Sequence, residues 1–501
     1  MPKYSIALFS SVVIPLVLAT ISSEAHPHGN AALGVAISDD TSAGDARHQR
    51  TQSAIKLSLD DAVALGVRRN RSIRSAHLLR VAQRFDLRVA EEIFAPKLLL
   101  TSSYIAARSS VDRRRNVEIT PVVNLVGPLG TRASLSFNNT LNHANRGGAQ
   151  RTGAVTFNLI QPLLRGAGND VASAPLRLAR LSEYANRLAL DALVAERVQQ
   201  IVVSYREVLR ARETVRIAAS AVDRSRELLT VNRALIRAGR MAEFDIVQTQ
   251  ADIASQELNL EEAENQLGAA RLDLLAHLDL DLGTRIDVDD ISEIKPVNIA
   301  LAQQVSTALD RQPDYLLQRV SRELADIRYA VARNERLWDI SLVGGATQLR
   351  DRHHSNNDRN RTRSWEAYAG VQIKIPIGDL SSQQGFVHAD VGKELAKLRL
   401  GEAKLELERR VGDGVRDIHT RLRQHDIAQR ALELSQRKLG IERKKLRLGR
   451  SSNFQVLSFE ADLRNAEIAV LNTHLSYLQA LTHLDSLTGM TLERWGIEPN
   501  V

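Results

Sequence analysis

The 501-residue chain contains no cysteine, which excludes disulfides, thiolate metal sites, cysteine nucleophiles and a lipidated cysteine. Aromatic residues make up only 4% of it, too few to ring a large membrane sector with two aromatic girdles. After residue 25 no run of about 18 apolar residues occurs, so no membrane-spanning helix is expected. Any bilayer segment must then be built of β-strands, the other arrangement that satisfies backbone groups in lipid. Catalytic signatures are missing as well. No G-x-S-x-G elbow occurs, and His353-His354 lack the H-E-x-x-H frame and read as surface-loop histidines. Gly385 and Gly392-Lys393 are spaced by six residues where a phosphate loop has four, and Glu394 stands where that loop needs Ser or Thr. No catalytic residue, metal site or cofactor is expected. Trp338, Trp365 and Trp495 read as packing or interfacial positions.

One lysine, Lys3, precedes an apolar run over residues 6–21, and Ser23-Glu24-Ala25 places small residues at the two cleavage-determining positions. Residues 1–25 are therefore expected to be a secretory signal peptide. Their removal takes away one lysine and one glutamate, leaving the net charge at +8. An exported chain rarely meets nucleic acid, so the positive balance reads as the solvated faces of long helices. Residues 26–56, small and polar without a period, are expected to be a flexible lead segment.

The remainder is helix with a duplicated plan. Residues 236–253 read IRAGRMAEFDIVQTQADI and residues 446–463 read LRLGRSSNFQVLSFEADL. Arg237, Gly239, Arg240, Phe244, Ala251 and Asp252 recur as Arg447, Gly449, Arg450, Phe454, Ala461 and Asp462, each 210 positions later. Upstream, Leu59, Val63, Arg69 and Leu98 recur as Leu301, Val305, Arg311 and Ile340, each 242 positions later. A first repeat is expected over 57–295: a helix capped by Ser58 with Asp60 and Asp61 in its first turn, strands over 97–161 and a helical hairpin over 174–282. A second repeat over 296–490 has a helix, strands over 340–377 and a hairpin over 388–487, before a tail at 491–501. The long arms, 174–237 and 388–446, carry apolar residues at spacings of three, four and seven. At 1.5 Å per residue they extend about 95 Å and about 90 Å, and each return arm about 55 Å. An opening helix and a return helix end to end match one long arm, so each repeat forms a rod bent back at Gly239 or Gly449.

The strand tracts alternate. In AGVQIKIPI, Val371, Ile373, Ile375 and Ile377 alternate with Gln372, Lys374 and Pro376; in TGAVTFNLIQ, Val155, Phe157 and Leu159 alternate with Thr156 and Asn158. Such segments fit barrel strands between lipid and water, and equally a half-buried sheet in a soluble protein. In the barrel case Ile373 and Ile375 face lipid while Gln372 and Lys374 face the lumen. The polar stretch 349–364 reads as a long cell-surface loop. NLIQPLL (158–164) aligns with IKIPIGD (373–379), placing Pro162 and Pro376 at corresponding strand-to-helix transitions.

The repeat openings LSLDDAVALGVRRN and IALAQQVSTALDRQPD, the entry QPLLRGAG and the helix ARETVRIAASAVDRSRELLTVNRALIRAGR together resemble the TolC-like outer-membrane efflux protein family over nearly the whole mature chain. The resemblance implies a mainly α chain with a small β-barrel. Four strands per subunit would close a trimeric twelve-stranded barrel, and the coiled-coil hairpins would form a tunnel through the periplasm. It implies a homotrimer in outer-membrane lipid that works with a periplasmic adaptor protein and an inner-membrane pump. The longer first strand region, with VGPLGTRA as an extra turn, implies an additional hairpin. Gln455 and Ser458 occupy a stretch where some relatives carry acidic residues. The tips, Gly239, Arg240, Phe244, Gly449, Arg450 and Phe454, are expected to dock the adaptor; Phe244 and Phe454 are also expected to anchor the returning helices. The alternative is a periplasmic coiled-coil adaptor without its own pore, which strands inserted at the same point of both repeats disfavour.

Overall fold

A computed structural model describes residues 55–145, 148–291, 293–355, 358–378 and 380–498. The expected signal peptide, and the lead segment up to residue 54, lie outside the described residues. The end of the lead segment is not featureless: β1 (Ile55–Leu57) pairs in parallel with β6 (Ile286–Val288).

Helix begins at α1 (Leu59–Arg69), where the Ser58 hydroxyl accepts the Asp61 amide. The single opening helix expected from periodicity is two helices, because Asn70 interrupts it. Its side chain accepts the Ser72 and Ile73 amides and so starts α2 (Arg71–Glu91). The second repeat breaks at the equivalent residue. There α6 (Leu301–Arg311) stops at Gln312 and α7 (Pro313–Glu335) begins with a proline that holds its predecessor extended. Each break docks on the end of its own return helix, at Asp279 with φ +55° and at Gly489 with φ +71°. The Asp279 carboxylate accepts the Arg71 amide at 2.8 Å, whereas a Cβ on Gly489 would lie 2.6 Å from the Arg311 carbonyl oxygen.

The long arms are α4 (Ala174–Arg237), entered through the short α3 (Asn169–Ala172), and α8 (Ser381–Arg447). The second arm starts seven residues before the expected position 388 and extends about 100 Å, matching about 96 Å for α4. Their returns are α5 (Phe244–His277) and α9 (Asn453–Leu487), and α10 (Thr491–Arg494) follows. Along α4, Val194, Val198, Ile201, Val202 and Tyr205 pack with α1, the end of α5 and the β1–β6 pair. Along α8, Leu407, Val411 and Ile418 pack with α6 and the end of α9. A separate cluster near the bends joins Leu228 to Leu439, Leu446, Val456 and Leu463.

The strands form one antiparallel sheet in the order β2 (Lys97–Arg108), β3 (Arg113–Val126), β4 (Arg132–Ala144), β5 (Gly148–Pro162), β7 (Asp339–Ser355), β8 (Asp358–Lys374). There are six strands, the four expected and the two of the additional hairpin. The start of β2 and the end of β5 correspond to the start of β7 and the end of β8, so β3–β4 is the inserted hairpin, turning at VGPLGTRA. Three copies of such a sheet supply eighteen strands rather than twelve. The stretch 349–364 is not a long loop either. β7 and β8 stay paired through it to Ser355 and Asp358, with β5 extending the ladder beside β7 as far as His354, since three strands hold where an isolated hairpin in water is marginal. Conversely Ile375 and Ile377 lie beyond the last pair, Asp339 with Lys374, where Pro376 has no N–H to continue the ladder.

Candidate functional site: an inverted sheet and two helical tips

Residues directly opposite one another in the sheet share a face. One row runs Leu135, Phe157, Ala346, Ala367, and the adjacent row runs Ser136, Thr156, Thr347, Glu366. Through the middle of the sheet the two faces therefore differ in polarity, although Leu99, Ile105 and Leu349 fall on the face of the polar row. The apolar face is the open one: Phe157 is 42% exposed and Phe137 38%. On β4 and β5 the polar face is the sheltered one, with Asn138, Thr140, Thr156 and Asn158 half-buried, while both faces of the edge strands β2 and β8 are open. Its side chains bond laterally. Asn138 donates to Glu118 at 3.4 Å, Gln150 to Asp351 at 3.0 Å and Tyr368 to Asn158 at 3.1 Å. A Cβ on Gly345 would sit 2.7 Å from the Tyr368 ring, so that glycine makes room for the aromatic. A sheet in water shelters the opposite face. Ile373 falls on the apolar face opposite Ile340, and Gln372 and Lys374 fall on the polar one.

At the strand-to-helix junction Pro162 is buried and ends β5, and Leu163 still donates to the Ile340 carbonyl at 2.8 Å. The inserted turn seats here: Gly130, at φ +87°, lies so close that a Cβ would be 2.2 Å from the Gly166 carbonyl oxygen. The Asn334 amide clamps the same loop, accepting from the Gly166 N–H at 2.7 Å and donating to the Leu164 carbonyl at 3.2 Å. Pro376, its counterpart, is exposed in the β8–α8 connection.

At the bends Gly239 and Gly449 adopt φ +68° and +71°. Each amide bonds three residues back, and the Arg240 and Arg450 amides bond five residues back to Leu235 and Lys445, all at 2.9 Å. This double closure is the glycine-terminated helix end with both orphan carbonyls satisfied. The tips are open and mixed in character: Arg240 and Arg450 are exposed, as are Phe244 at 75% and Phe454 at 67%. The phenylalanines are thus not anchors. Leu446 and Val456, buried between the helices, hold that place.

Between the two hairpins lies a polar node that periodicity did not disclose. Asn232, fully buried, donates to Thr249 at 2.8 Å and to Asn453 at 2.7 Å, tying the first hairpin to the second. Its own Oδ1 has no hydrogen-bond partner among the described residues. A signal existed: Asn232 continues the buried series Ala218, Ala221, Ser225, Leu228, where a polar residue at a seam position sets register. Beside the node Glu460 takes Arg224 at 3.0 Å and also pairs with Arg443. Nearer the tip, hydrogen bonds from Ser451 and then Lys445 hold the Glu442 carboxyl below its ordinary range.

Among the described residues no group of three or more His, Asp or Glu is placed to hold a metal ion, and no helix is long and apolar enough to cross a membrane. Residues 304–490 match the model of the family described as outer membrane efflux protein. Over 374 residues the chain is 23% identical to the proteases secretion protein PrtF of Dickeya chrysanthemi, covering 72% of this chain and 71% of that protein. The CmeC outer membrane channel of Campylobacter jejuni superposes with a TM-score of 0.65 at 16% identity, over 88% of this chain and 87% of that one. The outer membrane protein VceC of Vibrio cholerae gives 0.65 at 14% identity, over 86% and 96%. Residues 304–490 thus match the outer membrane efflux protein family, and the chain over most of its length shares the fold of CmeC and VceC.

Proposed function

We propose that the chain is the outer-membrane component of an export system: a passive duct across the periplasm and outer membrane. The inverted sheet carries this reading, since an exposed apolar face over a hydrogen-bonded polar one suits lipid outside and water within. The sheet has two open edges, β2 and β8, and unpaired edges are prohibitive in lipid. Closure with further copies removes them, and a homotrimer is the assembly proposed. The helices support association too, because α8 leaves Val391, Leu398 and Leu405 exposed at heptad spacing.

The two bends of each copy form the periplasmic end, where an adaptor protein docks on the exposed arginines and phenylalanines and an inner-membrane machine supplies the energy. Likeness to a protease secretion protein favours a type I secretion partner, and the efflux domain a tripartite pump; both routes use the same duct. The test is localisation with assembly. Fractionation should recover the protein in the outer membrane, and cross-linking in detergent should give a three-subunit species. Recovery as a soluble periplasmic monomer would instead identify an adaptor-like protein without a pore. For the tips, a double Gly239→Trp, Gly449→Trp variant should stop export while its trimers still reach the outer membrane; normal export from those trimers would remove the docking role.

A further inference from the structure

On the apolar face, β3, β5, β7 and β8 carry arginines beyond the hydrophobic band. Register places Arg151 opposite Arg352, Arg352 opposite Arg361, and Arg350 opposite Arg363, all on the face that carries Phe157 and Val371. Arg115 lies on the same face of β3. All of them are exposed. Like charges directly opposite in a sheet repel and destabilise it. Nothing on that face offsets the repulsion: Glu118, Asp351 and Glu366 all fall on the polar face, and among the described residues no ion pair involves these arginines. Trp365, 79% exposed, sits one same-face step inside Arg363, the position an interfacial tryptophan takes between hydrocarbon and headgroups.

We infer that this arginine cluster binds the phosphate groups of an anionic lipid in the outer leaflet. The inference rests on the barrel reading proposed above. Guanidinium pairs suit phosphate because each presents a planar fork of donors to its oxygens. The facial placement decides between a lipid and a free anion. A ligand that reaches these arginines lies alongside the apolar band, so it needs hydrocarbon chains beneath an anionic head. A soluble anion travelling through the duct would meet the polar face instead.

The test uses the full-length protein reconstituted into vesicles containing either bis-phosphorylated lipid A or its dephosphorylated form. Insertion is read by resistance to alkaline extraction, and bound lipid by mass spectrometry after detergent extraction. Phosphorylated lipid should be retained about tenfold or more over the dephosphorylated form. An R350Q/R352Q/R361Q/R363Q variant should lose that preference, and the corresponding quadruple lysine variant, which keeps the charge, should hold most of it. Arg114→Gln, on the polar face, should change nothing. Equal retention of both lipids by inserted protein overturns the inference while leaving the barrel intact, as does displacement of the lipid by excess inorganic phosphate. Failure of the unmodified protein to insert overturns both.

Discussion

Glycines at three turns obey two different constraints, and the difference is measurable. At Gly239 and Gly449 a Cβ would meet nothing within 4 Å, so only the left-handed backbone resists a side chain. Gly239→Val and Gly449→Val should each weaken their tip by about 1–2 kcal/mol, read as faster amide exchange around the bend, while Gly239→Asn, which tolerates that conformation, should stay close to wild type. At Gly489 the Arg311 carbonyl blocks a Cβ as well, so Gly489→Ala should cost more than either tip variant. Equal loss from valine and asparagine at 239 would show that conformation is not the cause. Charge near the second tip adds a pH dependence. Because Ser451 and Lys445 depress the folded pKa of Glu442, its stabilisation is present above the unfolded value of about 4.3 and is lost as pH falls through the depressed folded value. Amide protection over 449–455, taken relative to the intrinsic exchange rate at each pH, should therefore fall on acidification below about pH 4, and Glu442→Gln should abolish that dependence. An unchanged acid response in Glu442→Gln would assign it to another group.

Between elements, the buried node and the sheet register each make a sharp claim. Removing Asn232 leaves Thr249 and Asn453 short of a donor, so Asn232→Ala should destabilise by about 1–3 kcal/mol. It should couple to Asn453→Ala in a double-mutant cycle by more than about 0.5 kcal/mol; simple additivity would mean that the Asn232–Asn453 bond contributes nothing to the junction, leaving it to the bonds of Asn453 with Asp245 and Gln248. In the sheet, Phe157→Arg should cost about 2–4 kcal/mol of assembly in a bilayer, and Ile373→Arg, nearer the helical end, less. Asn158→Arg on the polar face should be mild, and the reverse order would put the register wrong by one. Alternation in TGAVTFNLIQ was legible because adjacent side chains of a strand must take opposite faces. Paired strands within 349–364 were not, because side-chain polarity says nothing about backbone pairing once both faces are in water. The bends were legible through glycine and arginine repeating 210 positions apart. The exposure of Phe244 and Phe454 was not, because an apolar residue at a helix start reads as core unless its partner surface is known.

For the molecule as a whole, strand count is where the structure departs most from the expected plan, and it fixes the size of any closed barrel. Helical seams bear on how many copies meet. Leu398 and Leu405 are 66% and 69% exposed on α8, and Ile427, Leu434 and Ile441 continue an exposed seven-residue spacing further along. Since a single chain leaves these seams uncovered, Leu398→Glu with Leu405→Glu should prevent trimer formation while helical circular dichroism is unchanged; intact trimers would place the contact elsewhere. Barrel width then follows from the sheet. With strands about 4.8 Å apart and tilted by about 40°, eighteen strands close at a backbone diameter of roughly 36 Å and twelve at roughly 24 Å. All six strands form one continuous ladder, and β3–β4 stands in its interior between β2 and β5, so the inserted hairpin cannot leave the barrel without parting two neighbours. Electron microscopy of the proposed trimer should therefore show the wider ring. A ring of roughly 24 Å would mean that two strands of each copy fold away from the wall on assembly, and that β5 finds a new partner.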